Sequence, residues 1–176
     1  MKTIWILLVS CAAALAQSPN PLTDAVMNRY KGIRQNLIES AEAMPEDGYS
    51  FRLTPAQRPF GEWIGHVAMG NYNFCGVIKG EKPPDTHHLH ALAGKAELSK
   101  ALVESFEYCD GALKGMDDRK AMAEVTVGDK KVYPVQGMVN LVSSGNEHYG
   151  NIVGYLRSKG ITPPSSARAA KSSAKE

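Results

Sequence analysis

Histidines are the side chains of this sequence best suited to chemistry, because imidazole exchanges protons near neutral pH and binds transition metals. His66 and His148 lie in two separate segments with helical periodicity, each on a shoulder of the apolar stripe. His87, His88 and His90 cluster in a loop between two such segments. Histidines on inward shoulders of different helices can share a divalent ion. The alternative is that each is a partly buried histidine held by hydrogen bonds, since transition-metal sites usually have at least three protein ligands.

Few other side chains could complete such a site. Glu62 lies one turn before His66, and Glu147 adjoins His148 but points to a different face of its helix. The histidine loop could also fold back over the pair. Helix-surface glutamates and loop histidines are more often simply solvated. The sequence contains no serine nucleophile elbow, P-loop or Cys-x-x-Cys motif that would offer a second mechanism.

Four helices are predicted to position these residues, because apolar residues recur at spacings of three and four. Proline precedes the first helix at Pro21, and Gly80 and Gly160 stand where the second and fourth should end. The predicted helices extend from about Leu22 to Met44, Phe60 to Lys79, Lys95 to Met116 and Pro134 to Lys159. Burying four apolar stripes predicts an all-α fold of the four-helix-bundle type.

The segments outside these helices are less regular. Val125 to Val127 and Val132-Tyr133, separated by a turn, favour a short hairpin. The chain end is small and polar without apolar periodicity, which predicts disorder. We therefore divide the chain into a signal peptide (1–16), a bundle domain (17–166) and a disordered tail (167–176).

The N-terminal segment predicts export. Lys2 is followed by the apolar run Ile4 to Leu15, which is too short to span a bilayer comfortably. Small residues before Gln17 fit a signal-peptidase site, with cleavage expected after Ala16. The alternative is an apolar N-terminal helix of the domain.

A rival processing route is lipidation. Leu8-Val9-Ser10-Cys11 resembles a lipobox, which would leave Cys11 as the acylated first residue and anchor the protein to a membrane. The apolar residues that follow Cys11 make a poor tether, so we favour the cleaved signal peptide.

Two cysteines, Cys75 and Cys109, remain after cleavage. An exported protein reaches an oxidising compartment, where an even pair of cysteines can form a disulfide. Such a bridge would join the second and third helices. Two buried thiols that behave as small hydrophobes are the alternative.

Charge argues against nucleic acid as a partner. The formal net charge of the 176 residues is only +2, and the basic residues are spread along the chain. Nothing in the sequence therefore indicates a phosphate-binding surface.

Two long motifs resemble the DinB-like superfamily, and the resemblance extends from about Leu22 to Ser166. The motif around the second histidine is the more specific of the two. The motifs are Gly61-Glu62-Trp63-Ile64-Gly65-His66-Val67-Ala68 and Asn146-Glu147-His148-Tyr149-Gly150-Asn151-Ile152-Val153-Gly154-Tyr155-Leu156-Arg157, followed by Lys159-Gly160-Ile161 and Pro163-Pro164-Ser165-Ser166.

The resemblance implies an up-down-down-up bundle that often forms a homodimer. Many members hold zinc or nickel on three histidines, one from the second helix and a His-x-x-x-His pair from the fourth. His66 matches the first ligand and His148 the last, but Ser144 stands where the remaining histidine should be. A hydroxyl is a poor ligand for these ions, so the site is expected to bind metal weakly or not at all.

Two classes of function follow from the resemblance. One is a metal-dependent hydrolase or thiol transferase that uses His66 and His148 and acts on a small molecule of unknown identity. The other is a non-catalytic binding or interaction bundle that has lost its metal. Ser144 favours the second class, whereas the resemblance favours the first.

Overall fold

A computed structural model describes residues 18–174 of the chain. The predicted signal peptide and the lipobox at Cys11 lie outside the described residues. The described helices are α1 (Pro21–Ala43), α2 (Phe60–Lys79), α3 (Lys95–Leu113), α4 (Asp118–Ala121), α5 (Pro134–Ser158) and α6 (Pro164–Ser173). Two 3-10 helices, Glu46–Ser50 and His87–Ala91, and two strands, β1 (Val125–Val127) and β2 (Lys130–Val132), lie between them.

The four long helices are those that the periodicity predicted, and their ends follow local backbone chemistry. Pro21 and Pro134 occupy the first turns of α1 and α5, where no backbone N–H is needed. Gly80 ends α2 in the left-handed conformation, with φ of 70°. The third helix ends at Leu113, three residues earlier than predicted, because Gly115 turns the chain with φ of 69°.

The long helices pack side by side as a bundle. α2 packs against α3 and α5, and α1 packs against the same two helices from the opposite side. Their apolar stripes meet in one continuous core. Its largest fully buried side chains include Tyr30, Leu37, Phe60, Ile64, Leu102, Phe106, Met138, Ile152, Tyr155 and Leu156. An all-α bundle is therefore the fold of this chain.

The segment before α5 forms the predicted hairpin, in which Val125 pairs with Val132 and Val127 with Lys130. The short helix α4 just before it fastens the start of α1. The Asp118 carboxylate accepts hydrogen bonds from the amide N–H groups of Leu22 and Thr23, at 3.1 and 2.7 Å. These bonds satisfy N–H groups that the first turn of a helix cannot pair internally.

The structure corrects the prediction of a disordered tail, because residues through Ser173 form α6. Ser165 exchanges hydrogen bonds with the Tyr149 hydroxyl, at 2.7 and 3.1 Å. The Arg168 guanidinium pairs with the Glu39 carboxylate on α1. These partners are distant in sequence, which explains why the composition of the tail did not reveal them.

Two glycines, which have no side chain, allow α5 to lie close to α1 and α2. A Cβ at Gly137 would stand 2.6 Å from the Phe74 carbonyl oxygen and 2.8 Å from Ile78 Cγ1, both on α2. A Cβ at Gly145 would stand 2.7 Å from Ile33 Cγ2 on α1. Because packed interiors have little free volume, only glycine permits these separations.

The matched variants Gly137→Ala and Gly150→Ala test this contact. Gly137→Ala should lower the free energy of unfolding by about 1–3 kcal/mol, because the new methyl group overlaps backbone atoms of α2. Gly150 lies on the same helix with nothing within 4 Å of its Cβ position. Gly150→Ala should therefore raise stability by about 0.5–1 kcal/mol through helix propensity. Urea denaturation measures both values; equal effects would contradict the packing argument.

A disulfide joins Cys75 of α2 to Cys109 of α3, and both cysteines are fully buried. Their Cα atoms lie 5.2 Å apart, within the range that disulfides require. The bond closes a loop of 34 residues between helices that already pack together.

We expect unfolded, unreduced protein to contain no free thiol from this pair. The double variant Cys75→Ala/Cys109→Ala should lose about 3–4 kcal/mol of stability, because the unfolded chain gains loop entropy. A thiol assay in denaturant and urea denaturation with and without reductant provide the measurements. Two free thiols in the unreduced protein would contradict the bridge.

Candidate functional site

The structure brings His66 of α2 and His148 of α5 together. Their ring centroids lie 5.0 Å apart and the rings meet edge to face. Both side chains are half-buried. The close approach of α2 and α5 thus places two imidazoles, 82 positions apart in the chain, side by side.

Ser144 lies one helical turn before His148 and contacts it directly. Its Oγ is 3.0 Å from His148 Nε2, so the hydroxyl and the ring share a hydrogen bond. The other ring nitrogen, Nδ1, is buried and has no hydrogen-bond partner among the described residues. A buried polar atom without a partner is costly, and such atoms often mark functional sites.

Trp63 packs against both histidines and is itself held from two sides. Its ring centroid lies 5.3 Å from that of His148 and 6.0 Å from that of His66. Its indole Nε1 donates a hydrogen bond of 3.1 Å to the Tyr155 hydroxyl, which in turn donates to the Arg58 carbonyl oxygen. The Arg58 guanidinium carbon lies 5.1 Å from the Trp63 ring centroid.

No role for Trp63 could be assigned from the sequence, although it lies one turn before His66. An aromatic residue at that spacing is ordinarily a core residue, so its type and position carry no functional signal. Only the tertiary structure shows that Trp63 contacts both imidazoles.

Burial lowers the pKa of both histidines. For His66 the next cause is the positive charge of Arg58, and for His148 it is the neighbouring His66. The charge of Glu147 acts in the opposite direction, raising the pKa of each ring. Both imidazoles are therefore neutral at pH 7 and keep a lone pair available to bind a proton or a metal ion.

The other predicted ligands do not join the pair. Glu62 is exposed, and its carboxylate lies 3.8 Å from the guanidinium of Arg52. Glu147 is also exposed. Within residues 18–174, no three His, Cys, Asp or Glu side chains converge as a metal-binding group.

The histidine loop forms one wall of a cavity beside His66. This cavity of about 480 Å³ lies between the first half of α2, the start of α3 and both 3-10 helices. His66 and His90 both line it, whereas His87 and His88 do not. The loop therefore brings one histidine to the neighbourhood of the site.

The chain is thus a helical bundle that carries a pair of histidines on two facing helices. A family model described as the DinB superfamily matches residues 29–148, which is more than half of the chain. The chain belongs to this superfamily. The matched region includes His66, Ser144 and His148. No match was found among functionally curated proteins.

Solved structures share the fold. A DinB-like protein of Bacillus subtilis is 20% identical with a TM-score of 0.62, covering 78% of this chain and 94% of its own. A DinB-like protein of Bacillus cereus is 12% identical with a TM-score of 0.64, covering 80% of this chain and 95% of its own. At these identities the likeness establishes the bundle fold alone.

The lowered histidine pKa values predict that acid destabilises the protein. The unfolded chain binds protons at these rings near the ordinary value of 6.5, whereas the folded chain resists protonation. Stability should therefore fall as the pH decreases from about 7 to about 5. In thermal melts across this range, the melting temperature of the His66→Gln/His148→Gln variant should depend less on pH than that of the wild type. The exposed pair His87→Gln/His88→Gln is the control and should keep the wild-type slope.

Proposed function

We propose that this DinB-superfamily protein binds a divalent transition metal through His66 and His148 and belongs to the hydrolase or transferase type of the family. The observation that supports the proposal is the convergence of two neutral imidazoles, with ring centroids 5.0 Å apart. Imidazole is a preferred ligand of zinc and nickel.

The donor set fits a weakly held ion. Two imidazoles supply nitrogen donors, and the buried Nδ1 of His148 has no partner among the described residues. The third family position supplies only the Ser144 hydroxyl, which already shares a hydrogen bond with His148 Nε2. Zinc sites ordinarily use three or four protein ligands, so two histidines leave the ion with open positions and reduced affinity.

A bound ion would supply Lewis-acid chemistry, lowering the pKa of a bound water or thiol. The residues of the chain prepare the site for it. His66 and His148 would hold the ion, and the Trp63 ring packs against both imidazoles. Arg58, stacked on Trp63, adds a positive charge near the pair. A positive charge at this place favours anionic substrates.

A second function is favoured by the contact between Ser144 and His148. The hydrogen bond of 3.0 Å satisfies His148 Nε2 without a metal. The bundle would then act as a non-catalytic binding or interaction protein in which histidine, serine and tryptophan form a polar cluster between helices.

We also propose that the protein is exported, through cleavage after Ala16 or, as the alternative, through lipidation at Cys11. The support is the N-terminal sequence, together with the disulfide between Cys75 and Cys109, since such bonds persist in oxidising compartments. Among residues 18–174, no helix has both the length and the hydrophobicity needed to span a bilayer. The up-down-down-up topology and the homodimer remain proposals that rest on the family resemblance.

Metal titration tests the main proposal. Protein purified without a chelating tag should contain zinc or nickel above background, and calorimetric titration with Ni²⁺ should give weak binding that His66→Ala abolishes. Metal content at background together with no heat of binding would contradict the proposal and favour the non-catalytic bundle.

Ser144→His should increase the affinity for Ni²⁺ by about two orders of magnitude, because a third imidazole replaces a hydroxyl. The matched control is Ser143→His, which adds the same side chain at an exposed position of the same helix. The control should leave the affinity unchanged. Equal affinities for the two variants would show that position 144 does not face the metal.

A further inference from the structure

The cavity beside His66 has the properties of a small-molecule site, and His66 is the one member of the histidine pair that lines it. Its volume of about 480 Å³ lies within the range of known ligand pockets, roughly 300–1,000 Å³. Neither Ser144 nor His148 lines it. A ligand in this cavity would contact His66 from α2 without contacting α5 at the histidine pair.

Apolar and polar residues both line the cavity, and the apolar ones could hold a hydrocarbon group. The Leu89, Leu92 and Leu98 side chains line it, together with Met69 and the ring of Tyr49. Leu89 and Leu98 are buried in the protein interior and so form a rigid floor. The wall therefore favours a ligand whose body is hydrocarbon.

Two glycines of α2 allow the Leu98 side chain, part of the cavity floor, to lie close to the α2 backbone. A Cβ at Gly61 would stand 3.0 Å from Leu98 Cδ1, and one at Gly65 would stand 3.3 Å from Leu98 Cδ2. Both glycines line the cavity. The α2 backbone is therefore part of the wall, which makes this half of the cavity well defined.

The charged residues that line the cavity, Arg58 and Glu62, lie at the start of α2. Arg58 lines the cavity, and the first turn of α2 adds the partial positive charge of a helix N-terminus that no side chain caps. The acidic group at this end, Glu62, lies within ion-pair distance of Arg52. Arg52 and Arg58 together exceed Glu62 by one positive charge, so the balance suits a monoanion better than a phosphate dianion.

We infer that this cavity binds a small monocarboxylate with an apolar body, whose carboxylate meets Arg58 and whose hydrocarbon chain lies against Leu89, Leu98 and Met69. This inference goes beyond the proposed metal site and needs no metal. His66 and His90 place further imidazole groups along the same wall.

Calorimetry with octanoate, 1-octanol and octylammonium tests the inference, using the disulfide-bonded protein in the presence of EDTA. Octanoate should bind about tenfold more tightly than 1-octanol, because a charge-assisted hydrogen bond to Arg58 adds to the same hydrocarbon contact. Octylammonium should bind no more tightly than 1-octanol. No binding of octanoate, or equal binding of octanoate and 1-octanol, would overturn the inference.

Two matched pairs of variants locate the site. Arg58→Gln should weaken octanoate binding about tenfold and leave 1-octanol binding unchanged. Arg119→Gln, at an exposed position outside the cavity wall, should change neither. Met69→Glu places a carboxylate on the apolar wall and should abolish octanoate binding. Met122→Glu, at an exposed position, should not.

Octanoate affinity that is unchanged by Arg58→Gln or by Met69→Glu would overturn the inference. Circular dichroism of each variant confirms that the bundle is intact. Because EDTA removes metal from these experiments, their outcome is independent of the Ni²⁺ titration. A failure of the metal proposal would therefore not contradict the carboxylate site, and a failure of the carboxylate site would not contradict the metal proposal.

Discussion

The contact between α2 and α5 is the constraint on which the site depends. Gly137 lets the backbone of α5 approach that of α2 at Phe74 and Ile78, closer than any side chain would permit. Farther along the same helix pair, this separation places His148 against His66 and Trp63. In a close-packed interior, a contact at one point of a helix pair limits the positions of residues farther along it, because neighbouring helices cannot shift without creating a void or a clash. The histidine pair is thus a consequence of backbone packing.

The partial burial of the two histidines and the serine at position 144 together determine the chemistry open to the pair. Partial burial favours the neutral imidazole, which is the form that binds metals and accepts protons. Ser144 then offers His148 a hydrogen bond where the family usually offers a third nitrogen ligand. The bond satisfies one ring nitrogen of His148. In the function that we propose, this side chain is the reason why the site would hold a metal weakly.

The two 3-10 helices help to form a cavity that the core of the bundle does not provide. They lie over the first half of α2 and close a cavity whose far wall is the α2 backbone itself. The apolar core specifies the bundle, whereas the loops between its helices shape the place where a ligand can bind. This division is common, because one fold can carry many different sites. His66 belongs both to the histidine pair and to the wall of this cavity.

The sequence by itself determined the helices, because periodic apolar residues and the prolines and glycines at their ends act locally. It also identified His66, Ser144 and His148 through their resemblance to a family motif. Only the tertiary structure decided that Trp63 contacts both imidazoles, that His90 reaches the cavity and that Glu62 lines the cavity instead of joining the histidine pair. It likewise decided for a bridge between Cys75 and Cys109, which the sequence had left open against two buried thiols, and it joined the tail to α1 through Arg168 and Glu39. These contacts join residues from distant parts of the chain, and such pairings leave no local pattern in a single sequence.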